Sequence, residues 1–142
     1  MVSCNTILSN VRSKLTAASG TAIRYVTEFP ATRQDLPLSG PVAAVGIGRM
    51  TVENTKDEEG NVRYVTAKAS SSMVTVTITL CIPKTKLSAG YAGTLDTLLA
   101  AAKNLTTAYQ VLSITTGDAK YSSSVGALVI PVNIKINAGN LF

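Results

Sequence analysis

An α+β fold, with one mixed but largely antiparallel sheet and two helices packed on one of its faces, is predicted by three observations. Between Met73 and Ile82 the chain alternates without a break: Val74, Val76, Ile78, Leu80 and Ile82 on one side, Thr75, Thr77, Thr79 and Cys81 on the other. Side chains of a strand alternate between faces, so this segment buries one face and leaves the other polar. The pattern returns near the C-terminus, where Leu128, Ile130, Val132, Ile134 and Ile136 share a face and Asn133 and Lys135 interrupt them from the other. Finally, two stretches, one before all the strands and one between these two, carry apolar residues at helical spacing.

The first helix runs from Asn5 to Ala18, with Ile7, Leu8, Val11, Leu15 and Ala18 as its apolar stripe. Ser3 or Asn5 can cap its start, and Gly20 can close it. Ala22 to Phe29 reads as a strand with Ile23 and Tyr25 facing inward. Pro30, Pro37 and Pro41, with Ser39 and Gly40, then break the chain over residues 29–41, a loop long enough to suggest a contact arm. Val42 to Val52 is a strand softened by Gly46 and Gly48, which mark a bulge or a close backbone approach. An acidic hairpin tip over residues 53–61 turns this strand back into a second one, Val62 to Ala69, ahead of the long Val/Thr strand. After Pro83 comes a loop with Gly90 and Gly93. The second helix spans about Thr94 to Tyr109, buries Leu95, Leu98, Leu99, Ala102 and Leu105, and is capped by Thr94 with Asp96 near its positive end. Gln110 to Thr116 is a strand, Gly117 to Ser124 a polar turn, and Val125 to Ile136 the last strand.

With 142 residues, the chain is expected to form a single domain, spanning residues 1–142 and burying about two thirds of its unfolded surface. Hydrophobic residues make up 46% of it, yet aromatics are only 5% and tryptophan is absent, so the core is built from Val, Ile, Leu and Ala. The formal charge of +5 is unevenly spread. Glu53, Asp57, Glu58 and Glu59 against Lys56 give −3 in one stretch, so the remainder carries +8. A basic body with one acidic loop favours anionic partners without specifying them. Cys4 and Cys81 form no ligand pattern, which points to a reduced, cytosolic chain. Neither a secretion signal nor an apolar run of the roughly 18 residues a membrane span needs is evident.

Chemistry is hard to assemble from these residues. There is no histidine to act as a base or to complete a metal site, and the carboxylates outside the acidic stretch (Glu28, Asp35, Asp96, Asp118) fall in separate segments. Gly46-Ile47-Gly48 lacks the third glycine, the Lys-Ser/Thr and the helix of a phosphate loop. The acidic run lacks the alternating ligands of a calcium loop. The exposed strand face is threonine, without the stacking aromatics of RNA-binding sheets. No enzyme activity, cofactor or metal is expected.

The order of elements resembles that of the tail terminator proteins of tailed bacteriophages and related contractile particles. The resemblance is carried by the opening helix Asn5 to Ala18, the turn from Leu36-Pro37-Leu38 to Pro41 feeding a Val-Ala-Ala-Val-Gly-Ile-Gly strand, and the Val/Thr strand ending at Ile82-Pro83. It continues through the Gly-containing loop to the helix Leu95 to Tyr109 and the closing strand pair, and so covers nearly the full length. It implies a small subunit that forms a ring, typically hexameric, on the last tube ring, stops tube growth and presents a head-attachment surface. The implied partners are further copies of itself, the tail tube protein, a head–tail connector or neck protein, and sheath protein where the tail is contractile. No membrane and no specific nucleic acid is implied, although DNA passes through such rings; the implied location is the tail–neck region of a virion assembled in the bacterial cytoplasm. The family offers no catalytic residues to carry over. Candidate interface residues are therefore chosen by charge and by their loops: Arg33, Asp35, Arg49, Glu53, Asp57, Glu58 and Glu59. The alternatives are another structural phage protein, such as a connector, tube or coat subunit, and a small basic nucleic-acid-binding protein suggested by the calculated pI of 9.4.

Overall fold

A computed structural model of the chain describes residues 3–27, 40–53, 55–56, 62–63, 71–124 and 126–139. Helix α1 (Cys4–Ser19) starts where expected, because the Ser3 hydroxyl accepts a hydrogen bond from the Thr6 N–H at 3.2 Å. It ends at Gly20, whose φ of 63° is the left-handed conformation that glycine adopts without a Cβ clash, and whose N–H donates to the Thr16 carbonyl. Ile7, Leu8, Val11 and Leu15 are buried, while Ala18 in the last turn is exposed.

Helix α2 (Ala92–Lys103) starts earlier than its side chains suggest. Tyr91 occupies the N-cap position without a side-chain bond, and its carbonyl accepts from the Leu95 N–H, so the backbone sets the start. Thr94 is consequently inside the helix and Asp96 lies beyond the first turn, where it contributes little to the helix dipole. A 3-10 turn (Asn104–Thr107) follows, with Leu105 buried. Helix α1 is tied to the segment that follows α2 by Asn10 Nδ2 donating to Tyr109 Oη at 3.2 Å and Lys14 Nζ donating to Thr107 Oγ1 at 2.9 Å.

The strands are β1 (Arg24–Thr27), β2 (Val42–Glu53), β3 (Thr55–Lys56), β4 (Val62–Arg63), β5 (Ser71–Pro83), β6 (Gln110–Thr116), β7 (Lys120–Ser122) and β8 (Ala127–Gly139). A six-stranded sheet has the order β1-β2-β5-β8-β6, with β7 also paired to β8. Only β1 with β2 is parallel, which makes the sheet mixed and mostly antiparallel as predicted. The expected hairpin partner of β2 is corrected. β2 pairs with the long Val/Thr strand β5, from Val42↔Cys81 to Glu53↔Ser71, while Val62–Arg63 pairs with Thr55–Lys56 in a separate two-stranded ladder. The unbroken apolar face of β5 gives β2 a partner along its whole length, which a short local return cannot. Residues 64–69 of the expected strand, and the expected arm over residues 29–39, lie outside the described residues.

One face of the sheet meets both helices. Val74, Val76, Ile78, Leu80 and Ile82 of β5, Ile130, Val132, Ile134 and Ile136 of β8, and Ala43 and Val45 of β2 form one cluster with the helical residues Val11, Leu15, Leu98 and Leu105. Each large aliphatic side chain buried there contributes about 1.5–3 kcal/mol, so this face supplies most of the driving force. Among the described residues no helix is long and apolar enough to cross a membrane.

Pro131 sits in β8 between β5 and the β6/β7 side, where a missing N–H ordinarily breaks a ladder. Its carbonyl accepts from the Gly117 N–H at 2.7 Å, and the amide position of a strand residue points the same way as its carbonyl. The missing donor therefore faces the gap where the chain leaves β6, whose pairing stops at Thr116↔Val132, and before β7 begins at Lys120↔Val129.

A candidate interface on the open sheet face

The opposite face carries neither α-helix, and its character follows from strand register. Residues opposite one another on paired strands point to the same side, so the register defines rows running across the sheet. One row is Arg49, Thr75, Lys135 and Ser113; the next is Gly46, Thr77, Asn133 and Thr115. Together with Gly48, all of these except Gly46 line an open depression of about 500 Å3.

Two bulges create it. In β2, Val45 and Ile47 face the helices, so uninterrupted alternation would turn Arg49 into the core. The register shifts between Ile47 and Arg49, with Gly48 as the extra residue. Met50 thereby takes the inward position and Arg49 turns outward. Gly48 is suited to the spot because a Cβ there would strike Thr77 Oγ1. In β6 the same event occurs between Val111 and Ser113: Leu112 is the extra residue, 56% exposed, and Ser113 moves to the open face instead of the core. Bulges bend a strand and increase its twist. Here both lie beside the same row, one on each side of the β5–β8 pair, and the sheet is hollowed between them.

The depression is rich in donors. Thr77 Oγ1 donates to Asn133 Oδ1 at 3.0 Å, so the Asn133 carboxamide oxygen is engaged and its amino group is the end left to serve a ligand. Arg49 and Lys135 are exposed and bring two positive charges. Two further exposed cations stand on the same face by register, Arg24 opposite Val42 and Lys120 opposite Val129. Of the carboxylates whose side chains are described, Asp96 is on α2 and Asp118 is in the turn between β6 and β7, so neither opposes these cations from within a strand. Toward the other end of the face, Val42, Ala44 and Cys81 are buried, and burial pushes the Cys81 thiol up from its ordinary value of 9.0.

Of the residues singled out by charge, Arg49 lines the depression. Glu53 is the last residue of β2, paired in register with Ser71. Arg33, Asp35, Asp57, Glu58 and Glu59 lie outside the described residues. Lys135, Asn133, Ser113 and Thr115 were missed as members of a site. The only signal for them is that Asn133 and Lys135 interrupt the apolar face of the last strand, and a solvated strand face reads the same way. Among the described residues no three His, Cys, Asp or Glu side chains gather where they could hold a metal. The arrangement suits the recognition of an acceptor-rich, anionic surface.

No protein-family model matches the chain, and no curated protein matches it significantly. Among solved structures, a chain from the "Virion of native gene transfer agent (GTA) particle" matches with 17% identity and a TM-score of 0.38, over 89% of this chain and 90% of that one. Likeness at that level assigns neither a family nor a function.

Proposed function

We propose that the protein is a structural virion subunit of the tail terminator kind. In this reading it forms a closed ring, hexameric in the resemblance that suggests it, which caps a tail tube, halts its polymerisation and offers a surface for head attachment. The observation that carries the reading is the two-sided sheet. Two helices complete a core on one face, while four strands present an open, hydroxyl-rich and basic face. Such a face suits a subunit whose work is contact with other subunits, and the order of elements along the chain agrees with the resemblance described above. A closed ring requires a heterologous interface with two different patches on each subunit, and a basic body with one acidic stretch meets that requirement.

The test is assembly. Purified protein, alone and with tube protein, is measured by sedimentation and imaged by negative stain. Rings, and rings seated at tube ends, are expected; a protein that stays monomeric and never engages tube ends would refute the reading. Removing the gene from the particle that carries it is expected to give tails of uncontrolled length or tails without heads, whereas loss of a coat subunit leaves no heads.

A further inference from the structure

We propose that the depression between Arg49 and Lys135 receives the acidic stretch from Glu53 to Glu59 of a second copy of this chain. The proposal rests on the ring-subunit reading and names its subunit contact.

Three observations converge on that occupant. The first is chemistry. The guanidinium of Arg49, the ammonium of Lys135 and the amino end of Asn133 can only donate, and the Ser113 and Thr115 hydroxyls add donors at the β6 edge. An occupant that satisfies them supplies several negatively charged acceptors at once. The second is extent. The row from Arg49 to Ser113 crosses four strands, roughly 14 Å at the usual strand spacing. That length accommodates a run of carboxylates rather than a single ion. The third is supply. The chain itself carries four carboxylates within seven residues, Glu53, Asp57, Glu58 and Glu59.

Glu53 ends the strand that carries Arg49, four residues further on, or about 13 Å along an extended backbone. The strand end that leads into the acidic stretch is therefore set apart from the groove, and a contact between a groove on one subunit and a different segment of the next is of the head-to-tail kind that permits ring closure. A single-stranded nucleic acid would also satisfy the charge. The rows that form the groove, however, contain no aromatic side chain to stack a base, and such stacking supplies much of the affinity of single-strand binders.

The experiment uses charge reversal and mixing. One variant reverses the groove (Arg49→Glu with Lys135→Glu), another reverses the stretch (Asp57→Lys, Glu58→Lys and Glu59→Lys), and Ser113→Glu serves as a milder groove variant at an exposed edge position. Thermal melts confirm folding. Sedimentation in about 0.1 M and about 1 M salt, where the screening length falls from about 10 Å to about 3 Å, reads assembly. Wild type is expected to assemble at low salt and to dissociate at high salt, and each reversed variant alone to remain monomeric. An equal mixture of the two reversed variants is expected to regain the assembled species, because each groove then meets a stretch of opposite sign in an alternating ring. Assembly of wild type and reversed variants alike would overturn the proposal and leave the ring reading standing. So would a mixture that fails to restore assembly of folded variants. A wild type that is monomeric in every condition, with and without tube protein, would overturn both. Groove-dependent binding of a fluorescent thymidine oligonucleotide by a protein that stays monomeric would replace the proposal with a polynucleotide site.

Discussion

On β5, Thr77 and Ile78 are neighbours in the chain and look to opposite sides of the sheet. Ile78 is fully buried between Val45 of β2 and Val132 of β8, under the helices; Thr77 is half-buried beside the open groove, its hydroxyl tied to Asn133. The first face is closed and leaves no room for error, since interiors are packed as tightly as crystals and a lost methylene leaves a void. The second, around the groove, is bounded on one side only, so a side chain there can change without opening a cavity. Stability belongs to one face and contact to the other, although the same strands build both.

The sharpest way to break that division is to insert a second glycine beside Gly48. With one residue beyond what the bulge takes up, either Arg49 falls into phase with Ile47 and points at the helices, or Val45 and Ile47 are turned out. A buried, uncompensated charge costs about 3–5 kcal/mol, and urea unfolding is expected to show a loss of at least that size. Next in size is Ile78→Ala, expected to cost about 2–5 kcal/mol by the same measurement, against less than about 1 kcal/mol for Thr75→Ala in the groove. Equal costs at the two positions would show that the open face is packed after all. A smaller effect of opposite sign is expected at Ser72, which is fully buried and whose Oγ has no hydrogen-bond partner among the described residues. Ser72→Ala removes that unsatisfied group and is expected to stabilise the protein by up to about 1 kcal/mol.

The gentlest probe is pH. Burial raises the Cys81 thiol from 9.0, and burial raises the Tyr25 phenol from 10.0 against an opposing hydrogen bond from Ser19. For a group whose folded value lies above its unfolded one, the contribution to stability is complete below the unfolded value and is lost as pH rises through the folded one. Stability is thus expected to be insensitive to these two groups at pH 7 and to decline above about pH 9. The decline is expected to be shallower in Cys81→Ala, with the midpoint of urea unfolding as the readout.

Much of the closed face was legible in the sequence, because period-2 alternation in Val74–Ile82 and helical spacing in Ile7–Leu15 are local signals that survive any tertiary arrangement. The strand Gln110–Thr116 was also placed at its observed bounds. The open face was less legible. Gly48 announced a bulge, but its consequence for Arg49 depends on counting phase through it, and Leu112 gave no warning because bulges at non-glycine positions leave no compositional mark. Pro131 was passed over inside an apolar run, although a proline in an inner strand is itself a sign that a neighbouring strand breaks beside it. Lys135 and Arg49 are 86 positions apart in the chain and become neighbours only through two strand pairings whose register no local pattern encodes. The partner of β2 was misassigned for that reason, a nearer return being favoured over a longer one.

The row Arg49, Thr75, Lys135 and Ser113 has a temporal meaning as well. Its members are drawn from four strands, and the last of them to leave a ribosome comes from β8. A nascent chain that has made β2 and β5 already has its acidic stretch but has no groove, and β5 still lacks its second neighbour. Domains acquire such long-range pairings late, and half-finished sheets are prone to associate wrongly. Because the receiving surface comes into being only when β8 is seated, an unfinished subunit making the proposed contact can offer its carboxylates but cannot accept another's, which would keep chains still under synthesis from linking into the proposed ring.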